Sequence, residues 1–338
     1  MKMPVLIAAA AALFALAQPA SAVSVNPRGL GQVLLYPYYT VNKNQDTVLT
    51  VTNVSDHAKV VKVQFLEGYN GRTVVDFNLY LSAHDLWNAT ISSSGGATSA
   101  AQISTGDRSC IDTLPTIPYV FRPYGYDGAL AGSGMPADSG PHTVDRTREG
   151  HFEIIALADI VTGSALETAI THVQTGEPGD GVPASANGIA GNCPGVGALT
   201  DPDNQLATPT SGLFGSAAIV NVGEGTFFAY NADALTGFTD HLLISPIAPV
   251  LLSLDSANSL EATHGRARAY VSTDKGKQFP VDYERGQDAV SAVLMADALY
   301  NEYLVSAGLG ANTDWVVTFP TKRFYVDKGL YAGTNPLA

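Results

Sequence analysis

Charge is scarce in this chain. Only 14% of the 338 residues are Asp, Glu, Lys or Arg, against roughly a quarter in ordinary soluble domains. Uncharged Ser, Thr, Asn and Gly must therefore supply much of the polar surface, which favours β-structure joined by many turns. The charge that exists runs negative, with 31 acidic against 18 basic residues and a formal net charge of −13. Such a surface repels phosphate backbones and anionic lipid, so nucleic-acid binding is disfavoured. Cysteine is almost missing. Cys110 and Cys193 are the only two, and with no Cys-x-x-Cys there is no zinc ribbon or dithiol redox motif. Long apolar runs are lacking after the first residues; Ile244 to Leu254 is short and broken by Pro246 and Pro249. No transmembrane helix is expected in the mature chain.

Catalytic templates are also lacking. There is no Gly-x-Ser-x-Gly elbow and no His-Glu-x-x-His, and the paired glycines miss the third glycine of a dinucleotide loop. The seven histidines, His57, His84, His142, His151, His172, His241 and His264, are scattered singly rather than at ligand spacing. Asp201-Pro202-Asp203-Asn204 opens like a calcium loop but lacks its glycine and closing glutamate, and reads as a solvated Asx turn. Asp282 and Glu284 could share one strand face like a glycosidase pair, although i,i+2 carboxylates usually mark an exposed strand. No catalytic, cofactor-binding or metal-ligating residue is therefore assigned, and no cofactor is expected.

What is present begins with the leader. Lys2, the apolar run Val5 to Leu16 and Ala20-Ser21-Ala22 have the order of a secretory signal peptide, cut before Val23. The run is too short to span a bilayer permanently. The expectation is export, to the periplasm, the cell surface or the medium. In an oxidising compartment two cysteines most simply form one disulfide, so Cys110 and Cys193 are expected to be joined.

The rest, 23–338, reads as one continuous β-rich unit, with the turn-rich Gly125 to Gly150 as the place where a division would fall. Val33–Thr40, Thr47–Asn53, Lys59–Leu66 and Thr73–Leu81 carry strand patterns. Pro37 argues for an edge or a break. Lys62 and Gln64 are expected to point away from the core. Ser92 to Ser104 reads as a loop, Asp112 to Pro123 as edge strands or extended coil, and His151–Ile160 as a buried strand. Ser164 to Glu167 fits a capping box, with a short helix to about Val173. Residues 176–211 read as a loop-rich insertion. Ser216–Val222 and Thr226–Tyr230 form a hairpin. A helix is expected from Asp288, with Ala292, Met295, Leu299 and Tyr303 at helical spacing and Gly308 ending it. Trp315–Phe319 reads as a last strand. Short strands at this spacing predict an antiparallel β-sandwich with one or two short helices. The tyrosines Tyr36, Tyr38, Tyr39, Tyr69, Tyr80, Tyr119, Tyr124 and Tyr126 suit either recognition or a core.

Several blocks carry a resemblance. They are 34–40 (LLYPYYT), 63–68 (VQFLEG), 76–81 (DFNLYL), 226–234 (TFFAYNADA), 288–293 (DAVSAV) and 313–320 (TDWVVTFP). In these the chain resembles a family of secreted proteobacterial proteins described as cell-surface proteins. The resemblance implies an envelope or extracellular role and brings no catalytic residues. The expected function is non-enzymatic, structural or adhesive, with cell-surface or matrix components, or the protein itself, as partners. The alternative is a secreted carbohydrate-active protein, a binding module or a glycoside hydrolase.

Overall fold

The computed structural model describes all residues except 1–21, 113, 115–116, 129–135, 175–180, 184–203, 244–251, 262–264, 274, 301, 304, 307, 309–312 and 328–338. Two antiparallel sheets form a β-sandwich. The larger runs in the order β1 (Ser24–Val25), β16 (Asp233–Thr236), β2 (Val33–Thr40), β10 (Glu149–Ile160), β4 (Lys59–Glu67), β5 (Thr73–Leu81) and β8 (Ile111–Asp112). A further strand, β13 (Leu206–Ala207), pairs with the end of β10 at Asp159 and Ile160. The smaller sheet runs β15 (Thr226–Asn231), β14 (Leu213–Asn221), β3 (Asp46–Asn53), β6 (Leu86–Ser93), β7 (Ala101–Ser104) and β9 (Tyr119–Val120).

Alternation explains the space between the sheets. Leu49 and Val51 of β3 face Phe65 and Val63 of β4, Phe77 and Leu79 of β5, and Phe152 and Ile154 of β10. Trp87 packs edge-on to Phe77, and Tyr36 stacks on Phe152 with centroids 4.1 Å apart. Tyr36, Tyr39 and Tyr126 lie in this core, and Tyr80 is buried on the opposite face of the sheet. Four of the sequence's tyrosines thus fill interior rather than surface.

The larger sheet is covered on its second face too. The hairpin of β17 (Ala267–Ser272) and β18 (Gln278–Tyr283) packs there with three helices, α1 (Ala165–Ile170), α2 (Gly286–Leu294) and α3 (Arg323–Val326). Val33, Leu35, Val60, Ile155 and Leu157 of the sheet meet Leu166, Ile170, Ala267, Ala269, Ala289, Val290 and Phe324 of this layer. Lys62 and Gln64 point away from the core between the sheets, as expected, but this third layer buries them there. They do not reach solvent; they are 1% and 4% exposed. Lys62 pairs with Asp76 at 3.1 Å, and Gln64 donates to the Thr73 hydroxyl.

Other expectations are corrected in detail. The loop read over Ser92 to Ser104 shrinks to 94–100, because β6 and β7 pair from Thr90↔Ser104 to Ser93↔Ala101. The capped helix ends at Ile170, with Ser164 accepting from the Glu167 N–H, and the chain then enters β11 (His172–Gln174), which pairs with β12 (Gly181–Pro183). The later helix spans Gly286–Leu294, with Asp288 inside its first turn rather than at its cap. Met295, Leu299 and Tyr303 lie outside it and are exposed, so their helical spacing has no layer to bury against. Trp315–Phe319 forms no strand and pairs with no described strand. Pro37 sits where β2 is locally an edge, since β16 pairs only with Val33 to Leu35. Cys193 and Asp201 to Asp203 lie outside the described residues; Cys110 is fully buried beside β8.

Candidate functional site

The segment Trp315–Pro320 crosses the larger sheet at Pro37 and His151 and borders two clefts. The Thr318 hydroxyl donates to the Pro37 carbonyl, a group left open by the missing neighbour strand. Beneath the crossing lies His151, which lines both clefts. It follows Gly150, where a change of register between β10 and β2 reorients the strand.

The first cleft encloses about 680 Å³ and is walled by Tyr38, Tyr69, Trp315 and Phe319, with Asn70, Glu149 and Lys322 as its polar groups. Glu149 accepts from the Tyr38 hydroxyl at 2.9 Å and from the Asn42 amide at 3.2 Å. Burial, reinforced by the Glu149 carboxylate, pushes the Tyr38 phenol up to about 12. Tyr38 therefore stays protonated and donates. Glu67, at the back, is fully occupied: it accepts from the backbone N–H groups of Tyr69, Asn70 and Arg72 and from Arg146. The second cleft, about 1110 Å³, is more apolar and is lined by Leu35, Tyr270, Met295, Leu299, Phe319 and Tyr325.

Burial, and then the nearby Arg323 guanidinium, pushes the His151 imidazole down to about 3, so it is neutral at physiological pH. A proton-transfer role near neutrality requires a pKa close to the working pH, which this histidine does not have. Arg323 is engaged below with Glu153 at 3.0 Å and with the Ser253 hydroxyl, tying α3 to β10. What the clefts offer is aromatic surface, a fixed carboxylate and hydrogen-bond donors. That set is suited to binding.

The sequence's other candidates are dispersed. Asp282 lies on β18 and Glu284 just past its end, Asp282 paired with Arg268 at 2.5 Å and Glu284 with Arg266 at 3.2 Å. Hydrogen bonding to Arg268 holds the Asp282 carboxyl below the usual range. Each is engaged by an arginine, and the two form no acid–nucleophile couple. His84 meets Asp56, His142 meets Asp138, His172 meets Asp85 and His241 meets Asp240, each at a different place. His264 lies outside the described residues. Among the described residues no group of three or more His, Cys, Asp or Glu could hold a metal ion.

Sequence reasoning missed Tyr38, Glu149 and His151 as neighbours of Trp315. They come from segments far apart in the chain, and only the crossing of 315–320 brings them together. Compared with protein-family models, curated proteins and solved structures, the chain matches none.

Proposed function

We propose that this is a non-enzymatic, secreted or cell-surface protein with a structural or adhesive role in a bacterial envelope or matrix. One observation carries the reading: large apolar side chains are held toward solvent on a rigid sandwich. Val222, Phe227 and Phe228 project from one sheet edge, and Met295, Leu299, Tyr300, Tyr303, Trp315 and Phe319 from the face beside the clefts. Patches of this kind mark contact with other macromolecules. The leader at 1–22 and the resemblance to secreted cell-surface proteins support the same setting. Two of the resembling blocks, 226–234 and 313–320, contain the projecting aromatics.

Cell fractionation with N-terminal sequencing tests this. The protein should be found outside the cytoplasm, beginning Val23-Ser24-Val25; exported protein with an intact Met1, or cytoplasmic retention, overturns it. In the same setting Cys110 and Cys193 form a disulfide, which would staple the 176–211 insertion to the body. A non-reducing peptide map should recover the joined pair, and two alkylatable thiols would refute it.

A second reading, a carbohydrate-binding module, is favoured by the first cleft, where Tyr38, Tyr69, Trp315 and Phe319 surround polar groups. Aromatic faces and a fixed carboxylate suit a sugar's apolar face and hydroxyls. Pull-down on insoluble polysaccharides should then retain the protein, and Trp315→Ala should release it. The hydrolase version is disfavoured, since Asp282 and Glu284 are held by arginines.

A further inference from the structure

We propose that two copies of this chain join through β15, edge to edge and antiparallel, making one continuous sheet from two six-stranded ones. The inference rests on reading the projecting aromatics as a contact surface, and it names the partner for one of them. β15 is the outermost strand of the smaller sheet, and no described strand pairs with its free side.

The other edges of the two main sheets are guarded. β1, β8 and β9 are each two residues long, and β9 is flanked by Pro118 and Pro123. In the separate hairpin, β18 carries Pro280 and Asp282. Short strands, prolines and charges are the usual means of preventing edge pairing. β15 has none of them. It is six residues long, Thr-Phe-Phe-Ala-Tyr-Asn, and carries no charge. Its pairing with β14 runs without a register shift from Asn221↔Thr226 to Ser216↔Asn231.

The hydrogen-bond phase fixes which groups are open. The Ala232 N–H donates to the Gly215 carbonyl. Because inward and outward groups alternate along an antiparallel strand, Tyr230, Phe228 and Thr226 also bond toward β14. The N–H and C=O groups of Phe227, Ala229 and Asn231 therefore point away from the sheet. A two-fold axis at Ala229 matches these groups to themselves: Phe227 exchanges bonds with Asn231 of the second copy, and Ala229 with its own equivalent. Such an interface is isologous, the same patch on both sides.

The side chains agree with that register. Phe228 of one copy lies opposite Tyr230 of the other, extending the row in which they already sit 6.1 Å apart within one chain. Cross-strand aromatic pairs are among the favourable ones. The residue on the axis is alanine, which meets its copy without a clash. Phe227 and Phe228, 76% and 63% exposed, lie on opposite faces and are both covered. A chain of net charge −13 repels its own copies, so a neutral edge is where two of them can approach. One short edge buries less than a permanent interface needs; the pairing is concentration-dependent and suited to a crowded surface.

Sedimentation velocity on the purified mature protein, over a rising concentration series, tests the proposal. The wild type should shift from monomer to dimer. Ala229→Pro removes an outward N–H that β14 does not use, and Phe228→Glu places a carboxylate beside the partner's Tyr230. Both should lose the dimer while retaining the wild-type melting temperature. If Ala229→Pro fails to fold, Phe228→Glu decides alone. A wild type that stays monomeric to its solubility limit overturns self-pairing, as does a dimer that survives in a folded variant. Cell-surface retention, measured separately on the same variants, distinguishes this failure from failure of the adhesive reading.

Discussion

Arg146 lies among two carboxylates and two aromatic rings. It bonds Glu67 at 2.9 Å and Asp138 at 2.7 Å, with its guanidinium 4.0 Å from the Tyr126 ring centroid and 5.1 Å from that of Tyr69. Glu67 is wholly buried, so Arg146→Met would strand a charge in the interior. The expected cost is about 3–5 kcal/mol, read as a lowered midpoint in urea unfolding. Asp255 behaves in the opposite sense. Burial pushes its carboxyl up to about 6, with Glu153 adding to the rise and Arg323 opposing it, and its Oδ1 has no hydrogen-bond partner among the described residues. A carboxyl whose folded pKa lies above its unfolded value binds protons more tightly when folded, so its contribution is a penalty that grows from about pH 4 to about pH 6. Asp255→Asn should therefore raise the melting temperature at pH 7 and leave it nearly unchanged near pH 4. An equal effect at both pH values would show that the carboxyl is not strained by burial. Neither environment was legible in the sequence, because Glu67 lies far from Arg146 in the chain, as Glu153 and Arg323 do from Asp255.

The strands were legible where one face meets the core and the other meets water. β3 is the clear example, with Leu49 and Val51 buried and Val48 exposed. β4 showed the same alternation, yet all nine of its residues are buried. The layer on the face of Lys62 and Gln64 is built from α1 and the chain after residue 250, and nothing local to β4 announces it. The spacing of Ala292, Met295, Leu299 and Tyr303 misled for the converse reason: a helical period forms a helix in a protein only when a surface takes its apolar face. Contact between the two sheets is similarly non-local. Tyr36 of the larger sheet donates to the Thr50 carbonyl of the smaller one, and its hydroxyl lies where a Cβ on Gly215 would sit, only 1.8 Å away. Gly215→Ala must push Tyr36 off that carbonyl or part the sheets. The expected loss is about 1–3 kcal/mol from overpacking, and a double variant with Tyr36→Phe should recover part of it. If the alanine variant melts with the wild type, this close approach does not set the sheet spacing.

Over the whole molecule, scarcity of charge and excess of negative sign act together. Much of the positive charge is turned inward: Lys59 bonds Asp159, Lys62 Asp76, Arg72 Asp327 and Arg323 Glu153, each cation at most 1–3% exposed. The first two pairs lie within the larger sheet, the last two fasten residues 323–327 to its end, and together they leave the surface more one-sided than composition suggests. Two such surfaces repel at long range, while the β15 edge attracts at short range through backbone groups and aromatic rings. The two terms respond differently to salt. Screening shortens the reach of the repulsion from about 10 Å at 0.1 M to about 3 Å at 1 M ionic strength, and hydrogen bonds along a neutral edge are little affected. Dimerisation through β15 should therefore strengthen as sodium chloride is raised, with the monomer–dimer midpoint moving to lower protein concentration. Association through opposite charges, such as Arg266 and Arg268 of one copy against acidic groups of another, would weaken over the same range. Sedimentation at several salt concentrations separates the two, and a dimer that dissociates in high salt would place the contact on the charged hairpin instead of the uncharged edge.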